Sequence, residues 1–398
     1  MHRIELKSLL ADRAVGTPSG RVVRALSERG ALSATQIAHI TGLAKSTVSM
    51  TLSELRKSGI VVEGPSLERG ASVGRPATVL TLNPQAGTCV GVLIGLGQAR
   101  VIVADVSHAI IADTVTELDP DFSPEQAAEE TRRMIKQTYA EHSMPLCGLL
   151  GVGVAVAGPV NPIDGRMQRA SVVPTWAGID IRTVFGPVLQ RPILVDNESN
   201  CAALAEMMWG AAIGYEDFVL FKIDMGVGGA IVSGGRVLTG IAGSAGEFGH
   251  MTVDPDGPLC RCGNRGCLEL YASFKTPLQH ASKRFDRPMT MDDVIVLAKE
   301  GDVGCRRLIE DTATAAGRGL GMIGTILNPG LIVIGGRMAL AGDLLMTPLA
   351  ASFEKHTLVK RSDVSGPART ELTIGKFTEN DSCMGAVGLV LRHHGRLA

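Results

Sequence analysis

The hydrophobic positions change period along the chain. In ALSATQIAHITGLAKSTVSMTLSELRKSGIVVEG, residues 31–64, apolar residues return at helical spacing. Ile37, Ala38 and Ile40 can turn inward from one short helix, and Val48, Leu52 and Leu55, at i, i+4 and i+7, form a stripe on a second. Ser33 with Gln36 three residues on has capping-box spacing and predicts where the first helix starts; Gly42 breaks it and Gly59 stops the second. An earlier helix, about Arg21 to Arg29, completes a three-helix core. The period then shortens to two. Ile60 to Val62 and the alternating ATVLTLN predict two strands, with EGPSLERGASVGRP between them as a basic wing holding Arg69 and Arg75. From Thr88 onward β-rich and helical stretches alternate: CVGVLIGLGQARVIVADV, PEQAAEETRRMIKQTYAEH, then LLGVGVAVAGPV. A similar order recurs with DFVLFKIDMGVGGAIVSGG and LIVIGG, which predicts two α/β lobes with a cleft between them.

Two short helices joined by a glycine turn, the second polar on its outer face, predict a helix-turn-helix whose second helix can enter a DNA major groove. The candidate DNA contacts are Lys45, Ser46, Thr47, Ser49 and Arg56 on that helix. Gly74-Arg75-Pro76 is a stiff, extended way to present Arg75 to a minor groove. A small helical protein-interaction domain is the alternative. Ala44 stands where an N-capping Ser or Thr is expected, so the second helix starts without a side-chain cap.

Charge sharpens this division. Residues 1–84 hold 11 Lys and Arg against 6 Asp and Glu, net +5, and the remainder holds 28 against 34, net −6. A small basic module on a large acidic one favours a polyanionic partner for the former. With 398 residues and 45% hydrophobic content the chain can bury substantial cores, and its length suggests two or three domains. No apolar run reaches the length of a membrane span, and the opening MHRIELKSLLADR lacks the apolar core of a signal peptide. A cytoplasmic protein without a membrane partner is expected.

In CRCGNRGCLE, Cys260 to Glu269, three of the eight cysteines and a carboxylate fall within ten residues. A disulfide, a metal site and a pocket lining are the possible readings. Cys260 and Cys262, one residue apart, are poorly placed to bond each other, and a reducing compartment disfavours a disulfide framework. A metal is the better reading, with buried reduced cysteines as the alternative.

GEFGHMTVDPDGPLCRCGNRGCLE, GVAVAGPV, DMGVGGAIVSGG and NPGLIVIGG, preceded by a winged helix, together resemble the ROK family of sugar kinases and sugar-responsive repressors, over nearly the whole chain. The GH…CxCGxxGCLE segment carries the resemblance most specifically, and the winged helix points to the repressor branch of xylose-repressor and N-acetylglucosamine-repressor type. The resemblance implies an α/β fold in which an N-terminal winged helix-turn-helix, residues 1–84, precedes a two-lobed actin-like (ribonuclease H-like) domain. The first lobe would span 85–196 with a C-terminal helix at about 384–398, and the second 197–383 with a zinc motif. It implies a structural zinc on His250, Cys260, Cys262 and Cys267, a set of one imidazole and three sulfurs compatible with a closed tetrahedral site. It further implies a sugar pocket with Glu247 and Glu269 accepting from hydroxyls, and His250 able to use its second ring nitrogen there.

Against the kinase branch the chain has three substitutions. Kinases begin with a DxGGTK-like loop, where this chain has LIGLGQ, so Leu93 stands for the aspartate; Asp224-Met225 opens the second phosphate loop, where a carboxylate repels phosphate. Asn197-Glu198 replaces the Asn-Asp of the catalytic base, leaving both as sugar-binding candidates. The expectation is a non-enzymatic repressor of carbohydrate genes with no nucleotide cofactor, binding palindromic operator DNA as a homodimer or homotetramer and released or recruited by a sugar. An ATP-dependent sugar kinase with an added DNA-binding domain is the alternative.

Overall fold

The computed structural model describes the chain except for residues 1–4, 12–13, 15, 65–78, 96, 120, 146–147, 162, 169–173, 192, 360–368 and 394–398. It divides into two compact units, residues 1–201 with 382–398 and residues 202–381.

Unit one opens with helices α1 (Leu6–Leu10), α2 (Pro18–Arg29), α3 (Ala34–Thr41) and α4 (Lys45–Lys57), and strands β1 (Leu32–Ser33), β2 (Val61–Glu63) and β3 (Val79–Leu82). Helix α2 begins three residues earlier than the periodicity predicts, because the Thr17 hydroxyl accepts from Gly20 N and Pro18 fits the first turn. The Ser33–Gln36 capping box forms in both directions. Ile37 and Thr41, one turn apart, are the inward residues of α3, whereas Ile40, expected inside, is 45% exposed. The Thr41 hydroxyl is satisfied by the Ile37 carbonyl, which lets a polar residue take the inner position. Val48, Leu52 and Leu55 of α4 are buried as predicted. Ala44 provides no side-chain cap, and Gly59, with φ 74, ends the helix as Ile60 N donates to the Leu55 carbonyl. The small sheet has the order β1-β3-β2, with both pairings antiparallel. Arg69 and Arg75 lie outside the described residues.

The rest of unit one is built on strands β4 (Thr88–Gly95), β5 (Gln98–Asp105), β6 (Ile110–Glu117), β7 (Leu149–Val156) and β8 (Ile193–Asn197), in the order β6-β5-β4-β7-β8. The β4–β5–β6 pairings are antiparallel, and β7 and β8 add in parallel. On one face, Val90, Val92, Val152 and Val154 share a core with α5 (Pro124–Glu141) and α6 (Ile181–Leu189). The alternate positions meet the C-terminal helix (Asp381–His393): a Cβ at Gly91 or Gly153 would collide with the Cys383 or Ala386 carbonyl, so glycine permits this close approach. At the β5–β6 turn, His108 places Nε2 2.8 Å from the Ser27 carbonyl of α2, linking the N-terminal module to this sheet. Helix α7 (Glu198–Trp209) follows β8 and runs on into unit two.

Unit two repeats the plan. Strands β9 (Phe218–Ile223), β10 (Val227–Ser233), β11 (Arg236–Leu238), β12 (Leu331–Gly335) and β13 (Glu371–Ile374) take the order β11-β10-β9-β12-β13, again three antiparallel strands followed by two parallel ones. Its helices are α8 (Glu269–Ala272), α9 (Lys275–Arg284), α10 (Met291–Glu300), α11 (Val303–Leu327) and α12 (Asp343–His356). Phe221, Ile223, Ile332 and Ile334 share one core with Ala316 and Leu320 of α11 and Leu349 and Phe353 of α12. Each sheet therefore has the 3-2-1-4-5 order of an α/β lobe: the alternating pattern predicts the two lobes, and the family resemblance implies their actin-like arrangement. Among the described residues no helix is long and apolar enough to cross a membrane.

Candidate functional site

After β11 the chain of unit two leaves regular structure and folds on itself. A short helical turn, Phe248–His250, brings in His250, and two isolated bridges, Thr252↔Cys267 and Leu259↔Arg265, close the cysteine segment into a loop. Cys260 N donates to the Asn264 carbonyl at 2.7 Å and Gly263 N to the Cys260 carbonyl at 3.0 Å, curling the CxC turn. Gly266, φ 57, is required where it stands, because a Cβ would collide with the Asp254 carbonyl.

The loop gathers His250, Cys260, Cys262 and Cys267 so that one ligand atom of each lies within 4.8 Å of the others. Cys262 Sγ is 3.6 Å from Cys267 Sγ, and His250 Nδ1 is 3.7 Å from Cys260 Sγ. Neighbouring sulfurs on a tetrahedral zinc with bonds of ~2.3 Å stand about 3.8 Å apart, so these residues fit such an ion. Burial pushes the Cys262 thiol up, but the Asn264 backbone N–H and the other two thiols outweigh it and the net direction is down. Burial and the neighbouring thiols push Cys267 up to about 12. Burial lowers the His250 pKa against the pull of Glu269, which favours the neutral imidazole that a metal requires. The cluster could hold a metal ion such as zinc.

The proposed sugar groups fall in both units. In unit two, Glu247 is half-buried immediately before the His250 turn. Glu269, the first residue of α8, is 8% exposed; Arg261 Nη2 donates to its Oε2 at 2.9 Å and Val227 N to the same oxygen at 3.4 Å. Sequence reasoning missed Arg261, because its pairing across eight residues needs the folded loop. In unit one, Asn197 is buried and committed to local structure: its Nδ2 donates to the Gly158 carbonyl, and its Oδ1 accepts from Ser199 N and Asn200 N at the start of α7. Glu198 is half-buried as the first residue of that helix. Asp196, also unremarked in the sequence, accepts from Asn197 N and Asn200 Nδ2 and is 8% exposed.

At the segment that resembles a second phosphate loop, Asp224 turns onto backbone amides. Asp224 Oδ1 accepts from Met225 N at 2.8 Å and Oδ2 from Arg337 N at 3.1 Å. One backbone donor of that loop, Met225 N, and one of the turn after β12, Arg337 N, are thus held by the protein's own carboxylate. Leu93, at the other position, is part of β4, opposite Arg100.

On the N-terminal module, Lys45, Ser46 and Ser49 of α4 are exposed and Thr47 is half-buried. Arg56 is exposed but ion-pairs with Glu63 of β2. The groove beside α4, about 660 Å³, is lined by Thr35, Lys45, Ser49, Ser53, Arg56 and Lys57 among others. Met50, 63% exposed on this otherwise polar face, was missed; a helical wheel of α4 reveals it as a large apolar residue off the inner stripe.

Two family profiles match: the bacterial regulatory protein, arsR family, over residues 21–62, and the ROK family over residues 89–393. The chain is 28% identical over 384 residues to the xylose repressor of Bacillus subtilis (strain 168), covering 94% of each. It is 32% identical over 237 residues to the glucokinase of Halalkalibacterium halodurans, covering 56% of this chain and 72% of the kinase. The fold is similar to a crystal structure of a ROK family transcriptional regulator, a homologue of the E. coli MLC protein, with TM-score 0.73 at 22% identity and 98% of each chain covered. With most of its length matched by that profile, on a pair of lobes of the same strand order, the chain belongs to the ROK family.

Proposed function

We propose that the chain is a sugar-responsive transcriptional repressor of carbohydrate uptake or catabolism genes, acting in the cytoplasm and without phosphoryl transfer. The observation that carries this reading is the junction of a helix-turn-helix, its second helix exposing Lys45, Ser46 and Ser49, with a ROK domain in which Asp224 accepts from the Met225 and Arg337 amides. The alignment with a named xylose repressor across 94% of both chains supports it.

In this reading Lys45, Ser46, Thr47, Ser49 and Arg56, with Arg75 from the wing, contact operator DNA. His250, Cys260, Cys262 and Cys267 hold a structural zinc, which when bound supplies a fixed scaffold and no open coordination position. Glu247, Glu269 and His250 bind sugar hydroxyls, the last through Nε2 because Nδ1 faces Cys260. Asn197 and Glu198 are the sugar candidates of unit one. A homodimer or homotetramer reads a palindrome with half-sites about 34 Å apart, or a multiple. The sugar acts by preferring one conformation of the repressor, with a coupling of about 1–3 kcal/mol to DNA binding.

The test is a thermal-shift screen of zinc-loaded protein against sugars, sugar phosphates and ATP-magnesium. Stabilisation by a sugar without a response to ATP-magnesium is the expected result. An ATP-magnesium shift accompanied by ADP release would overturn the non-enzymatic reading in favour of a sugar kinase with an added DNA-binding domain.

A further inference from the structure

Arg261 lies between two of the clustered cysteines, and Glu269 follows the third by two residues. The folding that gathers the sulfurs therefore fixes the backbone at both ends of the Arg261–Glu269 pair. The Glu269 side chain is 11% exposed, and a buried carboxylate needs a partner. Both of its recorded contacts fall on one oxygen: Arg261 Nη2 at 2.9 Å and Val227 N at 3.4 Å, both on Oε2. Oε1 accepts no hydrogen bond from any described residue. Gly226 keeps the approach open, since a Cβ there would stand 2.8 Å from Glu269 Oε2 and 3.6 Å from Arg261 Nη2.

We propose that Arg261 is a positioning residue for effector recognition: it anchors Oε2 of Glu269 from within the cysteine loop and so presents Oε1 to a sugar hydroxyl. This rests on the reading of Glu269 as a sugar acceptor. Arg261 touches no substrate in this account; it sets the direction of the group that does. Loop integrity and sugar affinity become linked through one guanidinium, which explains how a closed site, with no ligand position of its own, bears on a sugar.

The test uses full-length, zinc-loaded protein with D-xylose, D-glucose and N-acetyl-D-glucosamine as probes. Sugar affinity is read by calorimetry and zinc content by metal analysis, for wild type, Arg261→Ala, Arg261→Lys and Glu269→Gln. Arg261→Ala is expected to weaken the binding sugar by about tenfold or more, the scale of a lost hydrogen bond to a charged group, while keeping one zinc per chain. Arg261→Lys restores part of the affinity. Unchanged affinity in Arg261→Ala, or loss of zinc in both arginine variants, would overturn the proposal. Wild-type affinity in Glu269→Gln would instead overturn the reading of Glu269 on which it rests. A crystal structure of zinc-loaded Arg261→Ala without sugar provides a readout independent of the probes: the Glu269 carboxylate is expected to turn away from Val227 N, and a carboxylate left in place would contradict the proposal.

Discussion

Asp196 shows how a residue can be plain in the sequence and opaque in its role. Burial, opposed by hydrogen bonds from Asn200 and from Asn197 N–H, pushes its pKa up to about 6 from the usual 3.8. An acid whose folded pKa is raised is stabilised by protonation. Its ionisation penalty is fully present above about pH 6 and is relieved as pH falls through the folded value toward 3.8, so its contribution to stability falls as pH rises through that window. Asp196→Asn, which keeps the acceptor oxygen for both donors, is expected to raise the melting temperature at pH 8 relative to wild type and to lose that advantage at pH 4. An equal difference at both pH values would show that Asp196 carries no such penalty. The VDNESN motif revealed the residue types but not which were committed: Asn197 uses its amide on the Gly158 carbonyl and the start of α7, a fact of packing rather than of spacing. Arg261 was hidden for the same reason. Its partner is set by the curl of the CxC turn, and side-chain patterning carries no signal for that.

At the level of elements, periodicity worked best where one residue type decides the geometry. The capping box on α3, the Val48–Leu52–Leu55 stripe and the glycine stop after α4 were all legible, because each depends on neighbours in sequence. Ile40 was misread because a short helix offers few turns from which to fix its inner face, and Thr41, satisfied by Ile37, took the buried position. Ala44, the N-cap of α4, supplies no side-chain hydrogen bond. Ala44→Ser is therefore expected to stabilise the N-terminal module by about 0.5–2 kcal/mol, read by chemical denaturation of the full chain, and no gain would mean that this terminus is already satisfied by other means. The cysteine loop is the second element with a direct test. Cys262→Ser removes one of four clustered ligand atoms and is expected to lose zinc by metal analysis, together with the sugar-induced thermal shift. A variant that retains one zinc per chain and still responds to sugar would contradict the proposed ligand set.

For the whole molecule, the recurring order of β-rich and helical stretches anticipated two lobes of the same kind, and both sheets have the order 3-2-1-4-5. Within the strands, Gly91 and Gly153 admit the C-terminal helix, a long-range contact that no local pattern encodes. The link from His108 to the Ser27 carbonyl, between the larger sheet of unit one and α2, is likewise a product of tertiary structure. Function was more legible than these contacts, because it rests on which chemical groups are present. In the segment that resembles a kinase phosphate loop, the Asp224 carboxylate accepts from the Met225 and Arg337 amides. The most direct measurement is fluorescence anisotropy of the full-length, zinc-loaded protein on a duplex selected by it from a random-sequence library, with and without the sugar that stabilises it most. The account predicts salt-sensitive binding whose affinity changes about 5–150-fold at saturating sugar. The same dissociation constant with and without saturating sugar would contradict it.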